Sequence, residues 1–349
     1  MINRIFGRFS KDIGIDLGTA NTLVYVKDQG IVINEPSVVA INNRTDQILA
    51  VGQDAKTMIG KTPAHITISR PMVGGVISDF EVTEKMLKHF IDKVHTESFT
   101  VVPRPRVVVA IPLDITEVEH KAVEDAVTSA GAREVLLIEQ PMAAAVGAGL
   151  QIQEATANMI VEVGGGTTEI AVISLGGVVT WKSLKLAGDK FNEIIIQYAR
   201  DKYNLLLGEE TAEKVKIAVG SAEPQEKRLE TPIRGRDVVS GLPKEVVISD
   251  QDIREALIKS LRIIIDNIKL TIESTPPELV ADLYKRGLVL SGGGALLRGF
   301  ASLIEKETKM PVTLTNDPLT SVVRGTGAIL EDFEHLKDLL LPPTQANKL

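Results

Sequence analysis

The stretch IGIDLGTANTLVY at residues 13–25 decides the fold. Apolar residues lead into a turn of glycine and threonine and resume after it, which predicts two antiparallel strands joined by a short loop. Asp16 lies at the end of the first strand, and the residues after it have small side chains. Backbone N–H groups in such a turn can face an approaching anion. The stretch therefore predicts a hairpin whose tip binds phosphate.

A second stretch, MIVEVGGGTTEIAVI at residues 159–173, repeats the same order of strand, carboxylate, turn and strand. One such hairpin is weak evidence, because glycine and threonine are common in ordinary β-turns. Two of them indicate a duplicated domain, with Asp16 in one copy and Glu162 in the other. We expect the two tips to face each other across one polyphosphate and its metal ion.

The composition favours a two-domain protein that folds in water. A chain of 349 residues is long for one ordinary core, and no apolar run reaches the roughly 18 residues that a membrane span needs. The sequence has no cysteine, which excludes disulfides and thiolate metal sites and suits the cytoplasm. A formal net charge of −7 argues against general nucleic-acid binding.

Two segments predict small inserted subdomains. After the first hairpin, a strand near 31–33 is expected to pair with one near 37–41, and a polar, turn-rich stretch follows up to Pro71. We interpret residues 34–76 as the first insertion. Charged residues among prolines and glycines at 223–247 indicate the second.

Three further patterns predict helices and turns around these hairpins. Thr116 and Glu119 form a capping-box pattern ahead of an amphipathic helix. Small residues at 141–149 would let a helix pack closely against its neighbour. A strand that ends at Leu290 runs into a run of glycines, which predicts a turn where the backbone approaches something flat or charged. A turn that only packs a helix is the alternative for this glycine run.

The N-terminal sequence MINRIFGRFSKD at residues 1–12 has the pattern of a membrane-surface helix. Its apolar side chains recur at helical spacing and its basic side chains lie on the other faces, which suits an anionic lipid surface. An N-terminal core helix is the alternative. The predicted membrane contacts are Ile2, Ile5, Phe6 and Phe9, with Phe99 on a later loop as a second contact.

Taken together, these stretches resemble the actin-type ATPase superfamily and, within it, the bacterial MreB family of cell-shape proteins. The resemblance runs from end to end of the chain, and the order and spacing of the motifs make it specific. The matching motifs are IGIDLGTANTLVY at 13–25, NEPSVVA at 34–40, IEQPMAAAVGAGL at 138–150, GGGTTEIAV at 164–172, GRDVVSGLP at 235–243 and LSGGGALLRG at 290–299.

The resemblance implies an α/β fold, a duplicated ribonuclease-H-like actin fold, with two domains that each carry a small inserted subdomain. The nucleotide, ATP with Mg²⁺, would lie in the central cleft. The implied division is the amphipathic segment 1–12, subdomain IA at 13–33, 77–149 and 319–349, subdomain IB at 34–76, subdomain IIA at 150–187 and 249–318, and subdomain IIB at 188–248.

The resemblance also implies a role for individual residues. One group would bind the phosphates, a second the nucleoside and the α-phosphate, and two carboxylates would steer Mg²⁺ through its water ligands. The phosphate ligands are Gly18, Thr19, Ala20, Asn21, Gly164, Gly165, Gly166, Thr167 and Thr168, the nucleoside ligands are Glu213, Lys216, Gly292, Gly293 and Gly294, and the carboxylates are Asp16 and Glu162.

Two positions depart from the family pattern and bear on hydrolysis. The residue before Pro141 is usually glutamate in the family, and here it is Gln140. The carboxylate that opens the second phosphate loop is usually aspartate, and here it is Glu162. In phosphoryl transfer the main task is to orient the attacking water, which an amide can do without accepting its proton. We therefore expect Gln140, Thr167 and Glu162 to support hydrolysis, at a rate that depends on the two departures at Gln140 and Glu162.

The function that the resemblance implies is an ATPase that polymerises into filaments. The resemblance implies that the filaments are antiparallel pairs of protofilaments associated with the membrane, and that they organise cell-wall synthesis to maintain rod shape. The implied partners are further copies of the chain, the anionic inner face of the cell membrane, and cell-shape and wall-synthesis membrane proteins, with no nucleic acid. A plasmid-segregating filament protein and a small-molecule kinase on the same fold are the alternatives. A chaperone-like ATPase would need a substrate-binding domain after residue 349.

Overall fold

A computed structural model of the chain describes residues 10–96 and 104–342. The chain forms two compact units, each with its own five-stranded sheet. The first comprises Met1–Glu154, Ser174–Val178 and Thr320–Leu349, and the second comprises Ala155–Ile173 and Val179–Leu319. The finer division into four subdomains stays a prediction.

Eighteen strands lie in the described ranges. They are β1 (Ile13–Leu17), β2 (Asn21–Val26), β3 (Gly30–Pro36), β4 (Val39–Asn42), β5 (Gln47–Val51), β6 (Ile66–Ser69), β7 (Met72–Val73), β8 (Val76–Ile77), β9 (Arg106–Ile111), β10 (Glu134–Glu139), β11 (Asn158–Val163), β12 (Thr168–Ser174), β13 (Gly177–Leu184), β14 (Leu205–Leu206), β15 (Glu230–Asp237), β16 (Pro243–Ser249), β17 (Leu288–Ser291) and β18 (Val312–Leu314).

Eleven α-helices accompany these strands within the same ranges, and none of them is long and apolar enough to cross a membrane. Thr116 forms the predicted capping box with Glu119 at the start of one of them. The helices are α1 (Gln53–Thr57), α2 (Phe80–His95), α3 (Glu117–Ser129), α4 (Gln140–Gly147), α5 (Gly188–Tyr203), α6 (Glu209–Val219), α7 (Asp250–Glu273), α8 (Pro277–Arg286), α9 (Phe300–Thr308), α10 (Ser321–Glu331) and α11 (Phe333–Leu336).

The sheet of the first unit has the strand order β10-β9-β1-β2-β3. β1 and β2 are the predicted antiparallel hairpin, and β1 is parallel to β9, which is parallel to β10. Because parallel strands end at the same edge of a sheet, the ends of β1 and β10 share one edge. Asp16 near the end of β1 and Gln140 just after β10 therefore lie on that edge, about 10 Å apart at two strand spacings.

The sheet of the second unit repeats this arrangement. Its order is β13-β12-β11-β17-β18, with β11 antiparallel to β12 and parallel to β17. β17 is in turn parallel to β18. Each unit therefore has three consecutive strands, of which the first two form the hairpin. Two strands from later in the chain then extend the sheet in parallel beside the first strand of the hairpin. The predicted duplication is confirmed, and Glu162 takes the place in β11 that Asp16 takes in β1.

Helix α4, which begins at Gln140, packs closely against helix α10. A Cβ on Gly147 of α4 would lie 1.9 Å from the carbonyl oxygen of Ser321, and a Cβ on Gly325 of α10 would lie 1.9 Å from that of Ala143. Only glycine allows the two backbones to approach this closely. The small residues of α4 have the packing role that their sequence predicts.

The predicted pairing between 31–33 and 37–41 is wrong. β3 pairs with β2, whereas β4 pairs with β5 and β6 in a separate three-stranded sheet. Pro36 ends β3 because it has no N–H to continue a ladder. The next residue, Ser37, then donates its backbone N–H to the carbonyl of Ala20, which turns the chain away from β3.

Candidate functional site

The first glycine and threonine loop, between β1 and β2, is held by residues from outside the hairpin. The Ser37 hydroxyl donates to the carbonyl of Gly18 at 2.6 Å, and the Ser37 N–H donates to the carbonyl of Ala20 at 3.0 Å. The N–H of Gly75 donates to the Thr19 hydroxyl oxygen at 2.9 Å. In the described part of the chain, the amides of Thr19 and Ala20 donate to no backbone carbonyl. These two amides can therefore bind an anion.

Asp16 places a carboxyl group next to this loop, in β1. Desolvation by burial raises the pKa of its carboxyl from the ordinary 3.8 to about 7. At the loop itself, a Cβ on Gly18 would lie 2.6 Å from the carbonyl oxygen of Asn21, so only glycine fits the turn. A buried carboxylate of this kind fits a site where a cation compensates its charge.

Asp16→Asn is expected to stabilise the nucleotide-free protein above neutral pH. Below about pH 4 the carboxyl is protonated in both states, and between pH 4 and 7 only the folded state holds the proton. Stability is therefore lost as pH rises to about 7, where the penalty becomes constant. The rise of the Asp16 pKa from 3.8 to about 7 is equivalent to about 4 kcal/mol, and partial solvent contact of the side chain lowers the expected effect on stability to about 2–4 kcal/mol.

Urea unfolding of wild type and Asp16→Asn at pH 5 and pH 8 measures this difference. The stabilisation should be larger at pH 8 than at pH 5 by about 1–2 kcal/mol, because part of the penalty is already present at pH 5. Since a lost packing contact would not depend on pH, an equal difference at the two pH values would contradict the raised pKa.

The second loop is held by the first turn of α5. The N–H of Gly188 donates to the carbonyl of Gly164 at 3.1 Å, and the N–H of Asp189 donates to that of Gly165 at 2.8 Å. Within the loop, the Gly164 N–H donates to the carbonyl of Thr167 at 2.9 Å. The amides of Gly165 and Gly166 donate to no backbone carbonyl in the ranges described. As in the first loop, carbonyls are bound by a neighbouring element while amides remain for a ligand.

The side chain of Thr168 is used by the protein itself. It is fully buried, and its hydroxyl donates to the carbonyl of Leu186 at 2.7 Å. Thr167 is also buried, at 6% exposure.

On α6, the Lys216 ammonium donates to the carbonyl of Gly188 at 2.9 Å. Lys216 therefore lies beside the second loop, and Glu213 lies one turn earlier on the same helix.

The glycine run after β17 lies against the end of β11. A Cβ on Gly292 would lie 2.7 Å from a carboxylate oxygen of Glu162, and one on Gly294 would lie 2.3 Å from the Val163 side chain. Gly293 differs, because it is exposed and a Cβ there would meet only the tip of the Leu319 side chain, at 3.2 Å. The outer two glycines are therefore required by the protein's own packing, and the middle one leaves its surface accessible to a ligand.

Gln140 is the first residue of α4 and is 6% exposed. Its side-chain carbonyl oxygen is buried without a hydrogen-bond partner in the described part of the chain. Leaving such a group unsatisfied costs about 1–3 kcal/mol. The alternative role for Gln140, a helix N-terminal residue whose side chain only bonds nearby backbone, gains no support from this unpartnered oxygen. Desolvation by burial also raises the pKa of the neighbouring Glu139 carboxyl.

The predicted membrane contacts Ile2, Ile5, Phe6, Phe9 and Phe99 lie outside the described residues. No three acidic, histidine or cysteine side chains come together as a metal site within the described ranges. Ser37 was missed as a residue of the first loop. Its sequence signal was its place within the NEPSVVA motif at 34–40, just ahead of the apolar run at 38–41.

Comparison with known sequences places the chain within a characterised family. The sequence model of the MreB/Mbl protein family matches residues 10–338. The chain is 52% identical over 335 residues to the cell shape-determining protein MreB of Escherichia coli strain K12, which covers 95% of this chain and 96% of that protein. It is 48% identical over 328 residues to the cell shape-determining protein Mbl of Bacillus subtilis strain 168, with coverage of 94% and 98%.

Comparison with solved structures agrees with this assignment. The crystal structure of MreB5 of Spiroplasma citri bound to ADP superposes with a TM-score of 0.89 at 37% identity, covering 94% of this chain and 98% of that one. The double helical filament of MamK, at 21% identity and a TM-score of 0.78 over 92% and 99% of the two chains, shares the fold. The fold is therefore actin-like, and the chain belongs to the MreB/Mbl family of cell shape-determining proteins.

Proposed function

We propose that this protein binds ATP, hydrolyses it, and assembles into filaments that take part in maintaining cell shape. The observation that carries the proposal is the hydrogen-bonding arrangement that the two loops share. In each, neighbouring residues bind the loop carbonyls, through Ser37 in one and the start of α5 in the other. The remaining amides then form anion-binding turns. The solved MreB5 relatives bound to ADP and to AMPPNP support a nucleotide as the anion.

The carboxylates of Asp16 and Glu162 suit Mg²⁺ that is held through water and by the phosphates of its nucleotide. Bound Mg²⁺ would neutralise charge that develops on the phosphates during transfer. In the hydrolytic step Gln140 would orient the attacking water through its side-chain carbonyl, with Thr167 as the second orienting group. The expectation that one nucleotide contacts both loops stays a prediction.

Self-association is the second part of the proposal, and membrane association the third. The MamK relative forms a double helical filament, and the family to which the chain belongs determines cell shape. We propose paired, antiparallel protofilaments on the inner face of the cell membrane, where wall-synthesis membrane proteins would bind. No contact within the described ranges favours the plasmid-segregating or kinase alternatives.

Purified full-length protein tests the proposal in three measurements. With Mg-ATP we expect saturable nucleotide binding, phosphate release and filaments in electron micrographs on a lipid layer. A non-hydrolysable ATP analogue should support binding and filaments without phosphate release. Absence of ATP binding by wild type would overturn the proposed nucleotide site, and binding without filaments would overturn the proposed assembly.

Membrane binding should depend on the apolar positions of the N-terminal segment. Ile5→Glu with Phe9→Glu places two carboxylates in the predicted apolar stripe, so filaments should no longer sediment with anionic liposomes. One segment gains roughly 6–12 kcal/mol by burial and loses a comparable amount through ordering. Lipid binding should therefore follow polymerisation, because many weak contacts add along a filament.

The matched control for this experiment is Asn3→Glu with Gly7→Glu. It changes the net charge equally, but both positions lie outside the apolar stripe of the predicted helix. The control filaments should retain most of the lipid binding of wild type. If the Ile5 and Phe9 variant polymerised and sedimented with liposomes as wild type does, this segment would not be the anchor.

A further inference from the structure

Among the described residues outside the hairpin, Ser37 makes the most hydrogen bonds to the first loop. Its hydroxyl donates to the Gly18 carbonyl at 2.6 Å and its N–H to the Ala20 carbonyl at 3.0 Å. The Thr22 hydroxyl lies 2.9 Å from the Ser37 hydroxyl oxygen. Since Ser37 gives its proton to Gly18, Thr22 is the donor in that pair. Both side chains are fully buried, so water does not compete for these bonds.

These bonds determine which way the loop amides face. In a trans peptide the C=O of one residue and the N–H of the next point in opposite directions, and no cis peptide occurs in the described residues. When Ser37 binds the Gly18 carbonyl, the Thr19 N–H must therefore face away from Ser37. Ser37 thereby fixes the orientation of a phosphate-binding donor that it does not itself touch.

We propose that Ser37 is the positioning residue of the first phosphate loop, and that its hydroxyl aligns the Thr19 amide with the β- and γ-phosphates of the nucleotide. The inference rests on the proposed ATP site. Donors that are already oriented bind developing or fixed negative charge without a reorganisation cost. Without the hydroxyl, the Gly18–Thr19 peptide can rotate, and the amide loses its alignment. Thr22 acts one step further away, because it only holds the Ser37 hydroxyl.

Ser37→Ala, measured in the full chain, tests this role against ATP, ADP and AMP. ATP and ADP should each bind about tenfold more weakly or worse, because an aligned hydrogen bond to a charged phosphate is lost. AMP has neither a β- nor a γ-phosphate, so its affinity should stay within about twofold. A residue that is only structural would weaken all three nucleotides by the same factor.

Thr22→Val is the matched control. It removes one buried hydroxyl of the same chain of hydrogen bonds and keeps the side-chain shape, so it should lower the thermal midpoint about as much as Ser37→Ala. Its ratio of ATP to AMP affinity should remain near that of wild type. If Ser37→Ala does not fold, Ser37→Cys, which keeps a side chain of similar shape but only a weak donor, should show the same fall in this ratio.

The two hypotheses can fail separately. If wild type does not bind ATP, the proposed nucleotide site is wrong. If wild type binds ATP but the ratio of ATP to AMP affinity is unchanged in Ser37→Ala and Ser37→Cys, then the nucleotide site stands and the positioning role is overturned.

Discussion

Gly293→Val is expected to weaken ATP binding about 100-fold, or about 2.7 kcal/mol, while the protein still folds. The structure explains both halves of this result. A Cβ at Gly293 would meet only the flexible end of Leu319, so the protein can accept a side chain there. The same side chain would cover the surface on which the nucleotide base and α-phosphate are proposed to lie. Isothermal titration with Mg-ATP and a thermal melt without nucleotide measure the two effects.

Gly294→Ala is the matched control one residue away. Its added methyl would lie 2.3 Å from the Val163 side chain, and such overpacking costs about 1–3 kcal/mol. The melting temperature should therefore fall by several degrees, whereas ATP should bind far better than it does to Gly293→Val. If Gly293→Val bound ATP as tightly as wild type, the turn at 292–294 would not contact the nucleotide.

Gln140→Ala should lower the rate of phosphate release from filaments about 100-fold, equivalent to about 2.7 kcal/mol of barrier. The buried side-chain oxygen of Gln140 has no hydrogen-bond partner in the described part of the chain, so its removal leaves no protein group unsatisfied. ATP affinity and the melting temperature should therefore change little. Single-turnover phosphate release from polymerised protein, at saturating ATP, is the measurement.

Two neighbouring variants make the result specific. Gln140→Glu restores the residue that is usual in the family and should raise or preserve the rate. A tenfold fall, about 1.4 kcal/mol, would instead show that Gln140 and Glu162 function only as a matched pair. An unchanged rate in Gln140→Ala would remove its catalytic role. If Glu139→Gln alone lowered the rate, the half-buried carboxyl with the raised pKa would be the group that activates water.

Local pattern predicted the hairpins, the helix start at Thr116 and the close packing of α4 because each depends on neighbours in sequence. Strand alternation and a turn of small residues specify a hairpin whatever surrounds it. The pairing of β4 could not be predicted in this way. β4 pairs with β5 and β6, which come later in the chain, whereas the segment 31–33 pairs with β2.

The different roles of the three glycines at 292–294 could not be predicted from the sequence either. Three consecutive glycines look equivalent in the chain, yet two of them are required by contacts with Glu162 and Val163. Those contacts come from β11, more than a hundred residues earlier. Only the middle glycine leaves a surface for a ligand, and that distinction arises from the parallel pairing of β17 with β11.

The sequence by itself determined the two hairpins, their carboxylates and the duplicated architecture, because these features depend on residues that are adjacent along the chain. Only the tertiary structure decided how the loops are oriented. The carbonyls of Gly18 and Gly164 are bound by Ser37 and by the N–H of Gly188, and the direction of each loop amide follows from these distant partners. Periodicity records which side of an element is apolar, but it carries no information about which remote hydrogen-bond donor will meet a given carbonyl.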